Sequence, residues 1–185
     1  MRFTLLLFLL FFGRTYAQNT SEFDIKNHKI IDSVSIVLSE KTENIDYLNS
    51  LHAGSYYKND KNFVCVSKIS TIKQNRVKYI YLDTKDYSIQ KINEIRKEII
   101  TNYNKGISFH ELNVKFSSYK NKEEIDSDLG WFQDGQMEKN FEEGIKKHKK
   151  DEIFTIDIPK KNWYYVVLKT HDETETKKID FYIYE

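Results

Sequence analysis

From Ile89 onward the apolar residues return every three or four positions. Ile89, Ile92, Ile99 and Tyr103 keep that spacing with Arg96 among them, and Ile95 and Ile100 widen the stripe. The period predicts a helix with one buried face, Asp86 as its N-cap and Gly106 just past its end. A second helix opens at Ser108, where Ser-Phe-His-Glu has the form of a capping box, and it buries Phe109, Leu112 and Phe116. His110 falls on its polar side. Met137, Phe141 and Ile145 then recur every fourth residue, which predicts a third helix from about Gln136 into the lysine run Lys146 to Lys150, where basic side chains complement the helix dipole.

Elsewhere the period is two. Asn62 to Ile72 alternates as a strand, Gln74-Asn75 reads as a tight turn, and Arg76 to Leu82 reads as a second strand with Val77, Tyr79 and Tyr81 on one face, so a β-hairpin is expected. Glu152 to Ile158 and Trp163 to Thr170 read as two strands across a turn at Pro159, and Ile179 to Tyr184 as a further strand. Ile30 to Leu38 fits helix or strand, Ile45 to Leu51 fits a short helix, and the polar stretch 117–127 reads as loop. The order after Arg76 is strand, helix, helix, loop, helix, strand, strand, an α+β pattern.

The start of the chain does not belong to that fold. Arg2, the apolar run Leu5 to Phe12 and the small-residue site Thr15-Tyr16-Ala17 have the make-up of an export signal over residues 1–17. Eight apolar residues fall short of the about 20 that a membrane-spanning helix needs. An exported, periplasmic or secreted product beginning near Gln18 is expected, with no integral membrane segment after cleavage.

Charge narrows the choice of partners. The 185 residues hold 29 Lys and Arg against 28 Asp and Glu, and loss of Arg2 and Arg14 with the leader tips the balance to one net negative charge. Neither a nucleic-acid groove nor an acidic-membrane surface follows from that. Cys65 is the only cysteine, so no intramolecular disulfide can form, and its place in an alternating strand reads as a buried, inert thiol. No HExxH, CxxC or G-x-S-x-G motif occurs, which argues against hydrolytic and metal chemistry.

One stretch stands apart. DLGWFQDGQM, Asp128 to Met137, holds two of the six glycines five residues apart among Leu129, Trp131, Phe132 and Met137. Followed by Phe141-Glu142 and by Asp151-Glu152-Ile153, it resembles the signature of the parvulin type of peptidyl-prolyl isomerase, over about residues 76–170. The resemblance implies an α+β domain with a small, largely antiparallel sheet of about four strands surrounded by about four helices. Residues 18–75 are then an N-terminal extension of helix plus strand, and 171–185 a C-terminal extension.

The resemblance also implies a site. Leu129, Met137 and Phe141 match the family's proline-holding cup, and Phe132 and Gln136 fall on the same motif as substrate-binding positions. On periodicity alone, Met137 and Phe141 one helical turn apart serve either a cup or an ordinary core. The family's polar positions fall on Tyr79, on Tyr119, and on Tyr164 or Tyr165. A tyrosine hydroxyl donates and accepts hydrogen bonds and is neutral near pH 7. The resemblance implies isomerisation of proline-containing segments of exported proteins with no cofactor and no metal. A parvulin-shaped chaperone or adaptor that grips extended segments without turnover is the alternative.

Overall fold

The computed structural model describes residues 27–39, 42–58, 62–119 and 127–185. The leader read over 1–17, the start of the extension through residue 26, and residues 120–126 of the polar loop lie outside them. The chain divides into two compact units, residues 1–72 with 176–185, and residues 73–175. Among the described residues no helix is long and apolar enough to cross a membrane.

The first unit is built on β1 (Ile30–Val37), α1 (Ile45–Ser50), β2 (Tyr56–Lys58) and parts of β3 (Phe63–Asp83) and β6 (Trp163–Tyr184). The segment that fitted helix or strand is a strand: β1 runs antiparallel to the end of β6, with Val34 opposite Phe181 and Ile36 opposite Ile179. Those four residues join Leu48, Leu51, Val64 and Val66 in a core around α1. Cys65 faces the other way and is buried beside Tyr56 and Tyr184.

The second unit carries α2 (Ile89–Asn104), α3 (Phe109–Phe116), β4 (Asp128–Gln133), α4 (Lys139–Ile145) and β5 (Ile153–Ile158) around the remaining parts of β3 and β6. Its strand order is β5-β6-β3-β4, with antiparallel pairing at both ends. This is the α+β architecture expected, with four strands. Side chains on a strand point alternately to the two faces, and here both faces are buried. Ile80, Leu82, Tyr164, Val166 and Leu168 meet α2 and α3 on one face. Val77, Tyr79, Phe132, Tyr165 and Val167 meet Phe141 and Ile145 of α4 on the other.

Several expectations are corrected, among them the two strands expected at Trp163 to Thr170 and Ile179 to Tyr184, which are one unbroken strand, β6. Gln74-Asn75 is no turn: β3 runs unbroken for 21 residues, and Asn75 is buried and registers opposite Phe132 of β4. The pair lacks the glycine that a two-residue hairpin favours, and the alternation continues straight through it. DLGWFQ, which the expected order of elements did not include, is a strand, β4. The third helix starts at Lys139 with Glu138 as its N-cap, so Met137 precedes it.

Helix ends follow their capping chemistry. Ser88, not Asp86, caps α2, accepting from the Lys91 N–H, and Gly106 follows its end at φ +94°. Ser108 and Glu111 close both halves of the capping box of α3, and His110 is exposed. At the end of α4 the cation on the open carbonyls comes from the sheet: buried Lys169 donates through Nζ to the Ile145 and His148 carbonyls at 3.3 and 2.8 Å. The adjacent lysine run extends beyond the helix.

Candidate functional site

The DLGWFQDGQM segment holds its shape through polar side chains turned onto its own backbone. Arg76 on β3 grips Asp128 with Nε at 3.1 Å and Nη2 at 2.9 Å, and Asp128 Oδ1 accepts the Gly130 N–H at 2.9 Å. Burial opposes ionisation of Asp128, but the Arg76 guanidinium and the Gly130 N–H outweigh it and hold the carboxyl below its ordinary range. Gly130 lies at φ +72° and Gly135 at φ +87°, backbone that residues with a Cβ rarely adopt. Gly135 therefore serves the turn after β4, and Gly130 a bulge within β4, where the pairing with β3 slips between Asp128 and Trp131.

The buried Glu142 does most to fix the loop before α4. Its carboxylate accepts the Gly135 N–H at 2.9 and 3.1 Å and the Met137 N–H at 2.9 Å. That explains the Phe-Glu pair of the motif physically: Phe141 faces the site while Glu142 ties down the chain that carries Met137. Gln136 Oε1 accepts the Gln133 N–H at 2.8 Å and closes the turn, and Glu138 Oε2 accepts from Asn140 and Phe141 at the start of α4.

An open cleft of about 160 Å³ results, lined by Tyr79, Tyr119, Leu129, Met137, Glu138, Phe141, Trp163 and Tyr165. Tyr79 sits edge-on to Phe141, Tyr165 and Tyr119, with ring centroids 6.0 to 6.3 Å apart, and Tyr165 packs at 5.1 Å from Phe141. Tyr81 lies behind them, 5.1 Å from Tyr119 and 5.5 Å from Tyr165. Such offset and edge-to-face contacts are the favoured aromatic geometries.

The hydroxyls are linked unevenly. Tyr79 Oη lies 3.4 Å from Tyr119 Oη, a long contact, whereas Tyr81 donates to Asp83 Oδ2 at 2.5 Å. Burial pushes the Tyr79 and Tyr165 hydroxyls well above their ordinary value, and burial followed by the Asp83 carboxylate does so for Tyr81. These groups stay neutral at physiological pH. Asp83 is held below its ordinary range by the Tyr81 hydroxyl and the Lys85 N–H.

Of the residues singled out from the sequence, Tyr79, Tyr119, Tyr165, Leu129, Met137 and Phe141 come together in the cleft. Tyr164 does not: it alternates to the opposite face of β6, under the Arg96 guanidinium at 5.2 Å. Phe132 is buried in the core beside Phe141, and Gln136 points into its own turn, so neither lines the cleft. Glu138 and Trp163 line it and were not foreseen. Glu138 directly follows the Gly-Gln-Met of the motif, and Trp163 shares the two-residue period of Tyr165, signals that lay in the sequence. Among the described residues no group of three or more His, Cys, Asp and Glu side chains is placed to hold a metal ion.

A helix-flanked, largely antiparallel sheet that forms an aromatic and apolar cleft from β3, β4, α4 and β6 defines a domain of the parvulin class. The profile of the PPIC-type peptidyl-prolyl isomerase (rotamase) domain matches residues 77–172, just over half of the chain, and the chain belongs to that family. It is 34% identical over 84 residues to Foldase protein PrsA 1 of Bacillus cereus, a match covering 45% of this chain and 29% of that protein. The chain thus spans under a third of that curated relative. Among solved structures it is similar to PrsA from Bacillus subtilis, with 24% identity over 54% of this chain and 35% of that one and a TM-score of 0.42. The peptidylprolyl isomerase PrsA from Bacillus anthracis is similar at 26% identity over 56% and 43%, with a TM-score of 0.44.

Proposed function

We propose that this chain is a cofactor-free peptidyl-prolyl cis-trans isomerase that assists the folding of exported proteins. The observation that carries the reading is the cleft itself, where Leu129, Met137 and Phe141 face Tyr79, Tyr119 and Tyr165 across a space with one carboxylate at its edge. A peptide bond before proline favours trans by only about 0.5 to 1 kcal/mol, yet amide resonance opposes rotation by roughly 18 to 20 kcal/mol. Rotation breaks that resonance and lowers the charge separation of the amide. A site that holds the ring against Met137 and Phe141 and keeps water from the carbonyl favours the twisted amide over the planar one. The tyrosine hydroxyls, neutral and able to donate or accept, supply hydrogen bonds to the turning peptide unit.

Exchange-detected NMR on Xaa-Pro peptides with the full chain tests the reading. A catalysed rate that falls at least tenfold in Met137→Ala is expected. A rate equal to buffer removes the catalytic claim. Export rests on the leader read over residues 1–17 and is tested by fractionating cells that express the full chain. Retention in the cytoplasm counts against it.

One observation favours a second reading, a chaperone or adaptor that binds extended segments without turning them over. The three polar positions of the motif within the cleft are all tyrosine, and their rings occupy much of its wall. Suppression of client aggregation by a protein that leaves the isomerisation rate at its buffer value supports that alternative.

A further inference from the structure

We infer that the cleft selects a basic side chain, lysine or arginine, beside the proline of its substrate, and that Glu138 is the residue that selects it. The inference rests on the proposed binding of proline-containing segments and adds their charge class. Of the eight residues lining the cleft, Glu138 alone bears a formal charge at neutral pH; the others are four apolar residues and three neutral tyrosines. The carboxylate is also fixed in place. Both of its hydrogen bonds, from the Asn140 N–H at 2.7 Å and the Phe141 N–H at 3.1 Å, fall on Oε2. Among the described residues no hydrogen bond falls on Oε1, which is open to a ligand at the start of the helix that carries Phe141.

Among the described residues Glu138 makes no ion pair. Lys139, next in sequence, turns to Glu143 at 3.8 Å. Lys161 lies 4.6 Å from the Trp163 ring and is not part of the lining. A second carboxylate stands behind the tyrosines: Asp83, ionised and bonded to Tyr81 and to the Lys85 N–H. A segment seating its proline on Met137 and Phe141 passes Glu138, since Met137 and Glu138 are consecutive and both line the cleft. A lysine or arginine there gains a charge-assisted hydrogen bond to Oε1, while a glutamate meets like charge.

The test compares catalysed rates on three peptides that differ only before proline, Lys-Pro, Ala-Pro and Glu-Pro, at low and high salt, for the full chain and for Glu138→Ser. Serine is a good N-cap, so this variant keeps the helix start while removing the charge; an unfolding midpoint within a few degrees of the wild type confirms that. The expected result is a Lys-Pro rate about two- to fivefold above Glu-Pro, the range for a partly exposed ion pair, falling to parity in Glu138→Ser and in high salt. Equal rates in the wild type, or a preference that survives Glu138→Ser, overturn the inference. If no peptide is turned over, the same three peptides are titrated while the Trp163 and tyrosine resonances are followed. A Lys-over-Glu binding preference lost in Glu138→Ser then upholds the selectivity while the isomerase reading fails; equal binding sinks the selectivity as well.

Discussion

The two walls of the cleft are built on opposite principles. The wall from β4 through α4 is an irregular backbone held by polar side chains: Asp128 on Gly130, Gln136 on Gln133, Glu142 on Gly135 and Met137, Glu138 on α4. The facing wall is regular strand, where Tyr79 and Tyr165 project from β3 and β6 and are held by ring against ring. A wall of the first kind loosens when one acceptor is lost, because the backbone N–H groups that set its course are then left without their partners. A wall of the second kind tolerates the loss of a hydroxyl, because packing area survives it.

The contrast breaks most severely where the walls share a residue. Phe141 is buried among Val77, Ile145 and Phe154 and also lines the cleft. Phe141→Ala is expected to cost about 3 to 5 kcal/mol of stability and to abolish peptide binding, read by denaturant unfolding and by titration. Next comes Glu142→Ala, which strips two backbone N–H groups of their acceptor. It is expected to cost about 1 to 3 kcal/mol, the penalty of one unsatisfied group, because water can reach the exposed Gly135 but less readily the half-buried Met137, and to loosen the Met137 segment. Hydrogen exchange at the Gly135 and Met137 amides reports the loosening directly. Unchanged protection there counts against the tether.

Acid sharpens the same comparison with a smaller effect. The Asp128 carboxyl has its folded-state value depressed below the unfolded one of about 3.9. Its contribution to stability is therefore fully present above pH about 4 and is lost as pH falls through the folded value. Asp83 and Glu111 titrate in the same direction, so the diagnostic quantity is a difference. Asp128→Asn is expected to unfold with a shallower dependence on pH below 4 than the wild type and to be less stable near pH 7 by about 1 to 3 kcal/mol. Parallel curves mean that Arg76 and Asp128 do not stabilise the bulge in β4.

The same division governs what could be read from the sequence. Helix α2 was legible through its period alone, with Ile92, Ile95 and Ile99 as the buried stripe and Ser88 in place of the expected cap Asp86, and α3 through period and cap together, since Ser108 and Glu111 close both halves of the box. The cleft residues Leu129, Met137 and Phe141 were legible through a motif. Alternation hid the rest. It runs through Gln74-Asn75 without a break, so one long strand resembles two short ones. It also places Tyr164 and Tyr165 on opposite faces that are both buried, and burial on both sides removes the polarity that would tell them apart. Gly130 at positive φ upsets the alternation of β4, which hides that strand. Glu138 escaped notice because its role depends on where α4 begins, a boundary set by its own hydrogen bonds.

Removing the Tyr79 hydroxyl has the smallest expected effect on stability and separates the functional readings best. Its partner, Tyr119 Oη, is 3.4 Å away, beyond the roughly 2.5 to 3.0 Å of a well-formed O–H···O bond. Tyr79→Phe is therefore expected to cost under about 1 kcal/mol, because the contacts with Phe141 and Tyr165 are between rings. The hydroxyl can still serve a turning peptide unit, where a hydrogen bond formed only in the twisted state lowers the barrier without tightening the resting complex. If the chain is an isomerase that uses its tyrosines, Tyr79→Phe lowers kcat several-fold while peptide affinity and the unfolding midpoint hold. If it binds without turnover, the same variant leaves affinity and aggregation suppression where they were, and there is no rate to lose. A variant that loses affinity and stability together shows instead that the hydroxyl shapes the wall, and the contrast between a tethered wall and a packed one fails at its most exposed point.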